Sequence, residues 1–186
     1  MIITISGTPG AGKTVIGKAL AKKLNYKFYS MGDIRGKLAK EKGMTIDEFN
    51  KLGETQAFTD NDVDNYQREL PKKEDNLVIE GRLSYNFIPS SVKLFFKADW
   101  NTAAKRILND KVSDRSDEKK SKNIDGQIKV LQERVASDKK RYKKWYGLDF
   151  TDEKQFDFIL DTSNENSIEK NTQRVLDWLK KKKLVK

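Results

Sequence analysis

Short apolar runs alternate along the chain with longer stretches in which apolar residues return every three or four positions. Ile2 to Ser6 is the first run and reads as a buried parallel strand. Glycine-rich residues follow, and then Val15, Ile16, Ala19, Leu20 and Leu24 fall at helical spacing. Lys27 to Ser30 reads as a second strand, and a helix from about Asp33 to Lys42 is ended by Gly43. Thr45-Ile-Asp-Glu48 has the form of a capping box and opens a helix through about Leu52. A polar helix is predicted over Asp60 to Leu70, with Pro71 closing it. Leu77 to Glu80 and Ser91 to Phe96 are the third and fourth strands, and Asn101 to Leu108 is helical. From Asn109 to Asn123 apolar residues almost vanish and charges crowd, which predicts a mobile loop. Ile124 to Trp145 is a long amphipathic helix, and Phe156 to Leu160 the last strand. The last helix, Ser167 to Lys182, is expected to face Ile168, Val175, Leu176 and Leu179 inward.

Strands that alternate with helices predict an α/β fold: a parallel sheet of about five strands sandwiched by helices. Ligands of such sheets bind outside the carboxyl ends of the strands. There is no internal repeat, low-complexity stretch or linker, so residues 1–186 are expected to form one domain, with inserts at 31–72 and 109–123.

Composition narrows the chemistry. The 186 residues are 36% hydrophobic and 35% charged, enough for one full core under a highly charged surface. No apolar run approaches the roughly 18 residues that span a bilayer. The N-terminus lacks a basic leader and a cleavage site, so a cytoplasmic protein with no membrane partner is expected. With no Cys, disulfides and thiolate metal sites are excluded; with no His, the commonest general base and metal ligand are missing. Carboxylates, Lys, Arg, hydroxyls and a hydrated metal ion remain. The formal charge of +10 fits solvated lysines, anionic substrates or nucleic acid. The charge is spread along the chain and no nucleic-acid module is present, so nucleic acid is not the expected partner. A monomer is expected.

Gly7, Thr8, Pro9, Gly10, Ala11, Gly12, Lys13 and Thr14 fit Gly-x4-Gly-Lys-Thr, after a predicted strand and opening a predicted helix. Glycines let successive N–H groups turn toward a β-phosphate, and the helix adds its positive end. Lys13 would reach the β- and γ-phosphates of ATP, and the Thr14 hydroxyl would ligate Mg²⁺. No Asn-Lys-x-Asp motif follows a late strand, which disfavours a GTPase.

Two further groups fall at predicted strand ends. Ser30, Asp33 and Arg35 follow the second strand, and Glu80 and Arg82 follow the third. Glu80 is placed to hold Mg²⁺ through water, or else is a cap or surface charge. Arg35 and Arg82 would clamp an acceptor phosphate, or pair with neighbours. Arg134, Asp138 and Arg141 lie four and three residues apart, on one face of the long helix. They suit phosphate neutralisation beside a carboxylate acceptor, or an ordinary surface ion pair.

Taken together, the P-loop, Ser30-Met-Gly-Asp-Ile-Arg35, Leu38 to Met44, Asn76-Leu-Val-Ile-Glu-Gly-Arg-Leu-Ser84 and Arg134 to Gly147 resemble the nucleoside monophosphate kinases, most closely the archaeal type of cytidylate kinase. The resemblance covers nearly the whole chain. It implies a P-loop NTPase fold in which 31–72 is the NMP-binding insert and 109–123 the lid. It further implies Mg-dependent transfer from ATP to CMP or dCMP, giving CDP or dCDP. By the same resemblance Ser30, Asp33 and Arg35 belong to the acceptor site, Arg82 grips the CMP phosphate or base edge, and Asp138 accepts from sugar hydroxyls. Lys13, Arg134 and Arg141 would then be catalytic, Arg106 and the loop after it would form the lid that closes over ATP, and Thr162 would lie by the adenine ring. The chain departs from the family pattern at Gly36, where an Arg is usual, and at Leu83, where bacterial relatives have Asp. Kinases for UMP, AMP or a small hydroxyl substrate such as shikimate or gluconate, with Asp33 as base, stay open. So does a nucleotide-gated RNA- or ribosome-associated protein.

Overall fold

The structure is a computed structural model that describes residues 1–56, 58–110, 120–165 and 167–185. Five strands, β1 (Ile2–Gly7), β2 (Lys27–Ser30), β3 (Leu77–Glu80), β4 (Val92–Lys97) and β5 (Phe158–Asp161), form one sheet in the order β2-β3-β1-β4-β5. Every pairing is parallel and helices cover both faces, so the α/β fold is as expected. The strands are apolar on both sides because both faces are covered. Ile3, Ile5, Val78, Leu94 and Phe96 pack against α1 (Lys13–Leu24) and α8 (Ile168–Lys181). Leu77 and Ile79, one position out of phase with Val78, pack against Met31 of α2 (Met31–Glu41) and Val63 and Leu70 of α4 (Phe58–Lys73). Each such buried side chain contributes ~1.5–3 kcal/mol to the core.

Register fixes where the strands end. Ser30 lies beside Glu80, Glu80 beside Ile5, and Gly7 beside Phe96, so their carboxyl ends share one edge. Over that edge stand α3 (Ile46–Gly53), α6 (Trp100–Asn109) and α7 (Ile124–Tyr146). The Thr45–Glu48 capping box starts α3 as expected. Among the described residues no helix is long and apolar enough to cross a membrane.

Some expectations need correction. Pro71 does not close α4, which runs on to Lys73. A proline removes one N–H and crowds the preceding turn, but a donor three residues on, Glu74 N, still reaches Leu70 O at 3.0 Å. The chain turns later, at Asn76, whose φ is +58°. Ile168 does not face inward: it is 45% exposed, because as the first residue of α8 it precedes the buried stripe of Val175, Leu176 and Leu179. β5 starts at Phe158, two residues late, because Glu153–Gln155 forms a 3₁₀ turn. The short α5 (Ser84–Phe87) was not foreseen; four residues carry too little periodicity to show.

Candidate active site

The P-loop glycines are required by backbone geometry. Gly7 has φ +141°, and a Cβ there would meet the Phe96 carbonyl oxygen at 1.9 Å. Gly10 has φ +73° and passes so close to α6 that a Cβ would lie 2.6 Å from that of Ala103. The loop is tied to β4 by Thr8 N–H donating to Phe96 O at 3.0 Å. Gly12, left-handed at φ +77°, is the N-cap of α1 and makes no side-chain cap, so the helix start is open to a phosphate. Lys13 Nζ donates to Thr8 O at 2.7 Å and thus folds back over the loop.

Beneath the loop, Thr14 Oγ1 donates to Glu80 Oε2 at 2.8 Å, and Ser30 Oγ reaches the same oxygen at 3.1 Å. Glu80 is buried, which removes the surface-charge alternative. This hydroxyl–carboxylate pair is all oxygen and borders the phosphate loop. It therefore fits a hard cation whose remaining ligands are phosphate oxygens and water. Among the described residues no cluster of three or more acidic side chains offers another metal site.

A cleft of about 1700 Å³ runs from the P-loop to α4 and α7. Arg35, Arg82, Arg134, Asp138 and Arg141 line it, so residues up to 106 positions apart in sequence meet there. Gly7, Thr8 and Ser30 are not among the residues that line it. Arg82 pairs with Asp138 at 2.5 Å and donates to Gly7 O at 2.7 Å. Asp138 also accepts from Arg141 at 3.0 Å. Arg141 Nε lies 3.4 Å from Asp60, and Asp60 accepts from Arg35 at 2.6 Å. The result is a run of alternating charge, Arg82, Asp138, Arg141, Asp60, Arg35, from the P-loop edge to the insert helices. Asp138 and Arg141 are 3% and 1% exposed, so a surface ion pair on α7 is ruled out. For Arg35 and Arg82, pairing with neighbouring acids is what the structure shows.

Burial alone would raise the Asp138 carboxyl; Arg82, Arg141 and Arg134 outweigh it and hold the group below the usual carboxylate range. Burial works against the Arg141 charge too, but Tyr142, Asp138 and Asp60 overcome it and push its pKa up. Asp33 is exposed, and its N–H caps α2 on Ser30 Oγ at 3.2 Å. Arg106 donates to Gly10 O at 3.1 Å and Thr162 Oγ1 at 2.9 Å, joining α6, the P-loop and the loop after β5. Of the expected lid, residues 111–119 lie outside the described residues; Lys120 Nζ donates to Asp110 O at 2.8 Å.

Sequence reasoning passed over Asn50, Asp60, Asp64, Gln67 and Tyr146. Asn50 Oδ1 accepts from both Arg35 and Arg141. Asp60, Asp64 and Gln67 share the buried stripe of α4 with Val63 and Leu70. The available signal was phase: these polar residues recur at the spacing of the apolar ones and so point the same way.

Comparison with known proteins follows the same lines. A family model described as the cytidylate kinase-like family matches residues 2–164. A cytidylate kinase of Methanocaldococcus jannaschii is 39% identical over 170 residues, 88% of this chain and 89% of that protein. A cytidylate kinase of Methanocella arvoryzae is 34% identical over 183 residues, 97% of this chain and 99% of that protein. Among solved structures, a shikimate kinase of Bacteroides thetaiotaomicron superposes with a TM-score of 0.64 at 20% identity, covering 97% of this chain and 98% of that one. At that identity the likeness extends to the fold alone.

Proposed function

The chain belongs to the cytidylate kinase-like family and is a nucleotide kinase; on that premise we propose that it transfers the γ-phosphoryl group of ATP to CMP or dCMP. The products are ADP and CDP or dCDP. The observation that carries this reading is the buried run of alternating charge beside the P-loop. It gathers three guanidiniums where two polyanions must be held together, and sets a carboxylate among them for sugar hydroxyls.

A nucleoside monophosphate attacks through a phosphate oxygen that is already anionic at neutral pH, so no base is needed. That agrees with a chain devoid of His. What the site must do is align two anions and neutralise the group in transfer. In this reading Lys13 and the P-loop N–H groups hold the ATP phosphates. Arg134 and Arg141 bridge donor and acceptor phosphates, Arg82 grips the acceptor, and Asp138 accepts from its sugar. Ser30, Asp33 and Arg35 shape the acceptor side, while Arg106 and Thr162 border the adenine. The Thr14 hydroxyl and, through water, Glu80 would hold Mg²⁺, which would supply charge neutralisation for the phosphates. Residues 31–72 act as the acceptor-binding insert and 109–123 as the lid of one monomeric domain.

The test is ADP release with CMP, dCMP, UMP, AMP, GMP and shikimate as acceptors. CMP and dCMP are expected to give the highest kcat/KM. A preference for AMP or shikimate would overturn the acceptor assignment.

A further inference from the structure

α4 carries polar residues where a packed helix would carry apolar ones. Asp60, Asp64 and Gln67 are 6%, 7% and 3% exposed, and all three line the cleft. Asp60 is at the arginine end, against Arg35 and Arg141. Asp64 lies one helical turn farther, ~6 Å along the axis, and Gln67 ~10 Å, at 1.5 Å per residue. A monophosphate seated on those arginines would extend its base along this stripe.

The two side chains are oriented. Gln67 Oε1 accepts from Ser84 Oγ at 2.7 Å, which turns its NH₂ toward Asp64 Oδ1 at 3.4 Å. Asp64 Oδ2 accepts from Tyr146 at 2.5 Å. Asp64 is in no ion pair among the described residues, and burial pushes its pKa up to about 6, against the lowering bond from Tyr146. A buried carboxylate with no ion-pair contact is costly, and two accepted contacts leave lone pairs unused.

Resting on the proposed acceptor, the geometry points to Asp64 and Gln67 as the residues that read the base, an acceptor and a donor side by side. Cytosine presents an amino donor beside the N3 acceptor, which matches this pair. Uracil presents the reverse, O4 beside N3–H, and would set a carbonyl against the carboxylate. A site built to meet a hydrogen-bond donor rejects the analogue that lacks it far more strongly than a difference in size would.

The experiment measures kcat/KM for CMP and UMP on wild type, Asp64→Asn and Gln67→Met. Asn keeps the size of Asp64 and can offer NH₂ to O4. The CMP-to-UMP ratio is expected to fall at least about tenfold in Asp64→Asn, with KM for ATP unchanged and a melting temperature at or above wild type. Gln67→Met should lower CMP turnover more than UMP turnover, and decides the matter alone if Asp64→Asn does not fold. If both substrates fall together and the ratio holds, these residues are structural and the inference is overturned. If wild type prefers AMP or shikimate, the acceptor assignment itself has failed, and this inference with it.

Discussion

Asp64 holds its proton higher on the pH scale than an exposed aspartate. Burial is the largest cause, Asp60 adds to it, and the Tyr146 hydroxyl, Arg68 and Arg35 pull the other way. Because its folded pKa, about 6, exceeds the unfolded value of 3.8, its contribution to stability is fully present below the latter. That contribution is lost as pH rises through 6, at an expense on the order of 2–3 kcal/mol. Asp64→Asn has nothing to titrate. Its melting temperature should exceed that of wild type clearly at pH 7.5, and the gap should narrow toward pH 4.5. Asp138 titrates in the opposite sense, its pKa being depressed, but it is common to both proteins and cancels from the difference. A gap independent of pH would mean that Asp64 is ionised and well solvated.

At the scale of elements, α7 holds the charges of the cleft in place. Asp138 accepts from Arg82, 56 positions earlier, and from Arg141 one turn on. Asp138→Asn keeps the shape and removes the charge. KM for CMP should then rise roughly 10–100-fold, the worth of a charge-assisted hydrogen bond, with much less effect on KM for ATP. Stability should fall as well, by up to about 3–5 kcal/mol, since two buried guanidiniums lose their shared anion. Steady-state kinetics beside thermal melts check both, and an unchanged KM for CMP would remove Asp138 from the acceptor side. The face of α7 was legible in the sequence because spacings of four and three are a local property of helices. The P-loop was legible for a similar reason: Gly7, Gly10 and Gly12 answer to backbone angles that other residues avoid. α4 was read only as a polar helix. Its acids looked like solvated charge, and what buries them, Arg35 on α2 and Arg141 and Tyr146 on α7, is brought near by tertiary packing. Pro71 misled for another reason, since a proline in a final turn removes a bond that few later residues need.

For the whole molecule, the net charge of +10 favours the approach of polyanions. Ligands that close on both ends of the cleft should be felt globally. At 100 times its Kd, either ATP or CMP adds ~2.7 kcal/mol, or roughly 5–10 °C in melting temperature for a chain of this size. The CMP shift should shrink in Asp138→Asn while the ATP shift stays, as scanning calorimetry would record. Equal CMP shifts in both proteins would place that nucleotide elsewhere. Removing one member of a buried ion pair costs several kcal/mol, whereas exchanging both for apolar residues can cost nothing. Arg35 and Asp60 sit 2.6 Å apart on separate helices, so neither can be replaced alone without harm. Asp60 also faces the buried Arg141, so a lineage carrying this gene can leave the pairing only by concerted changes that accommodate Arg141 as well, or through a crippled ancestor. Positions 35, 60 and 141 should therefore change in concert, however far apart they stand in the gene.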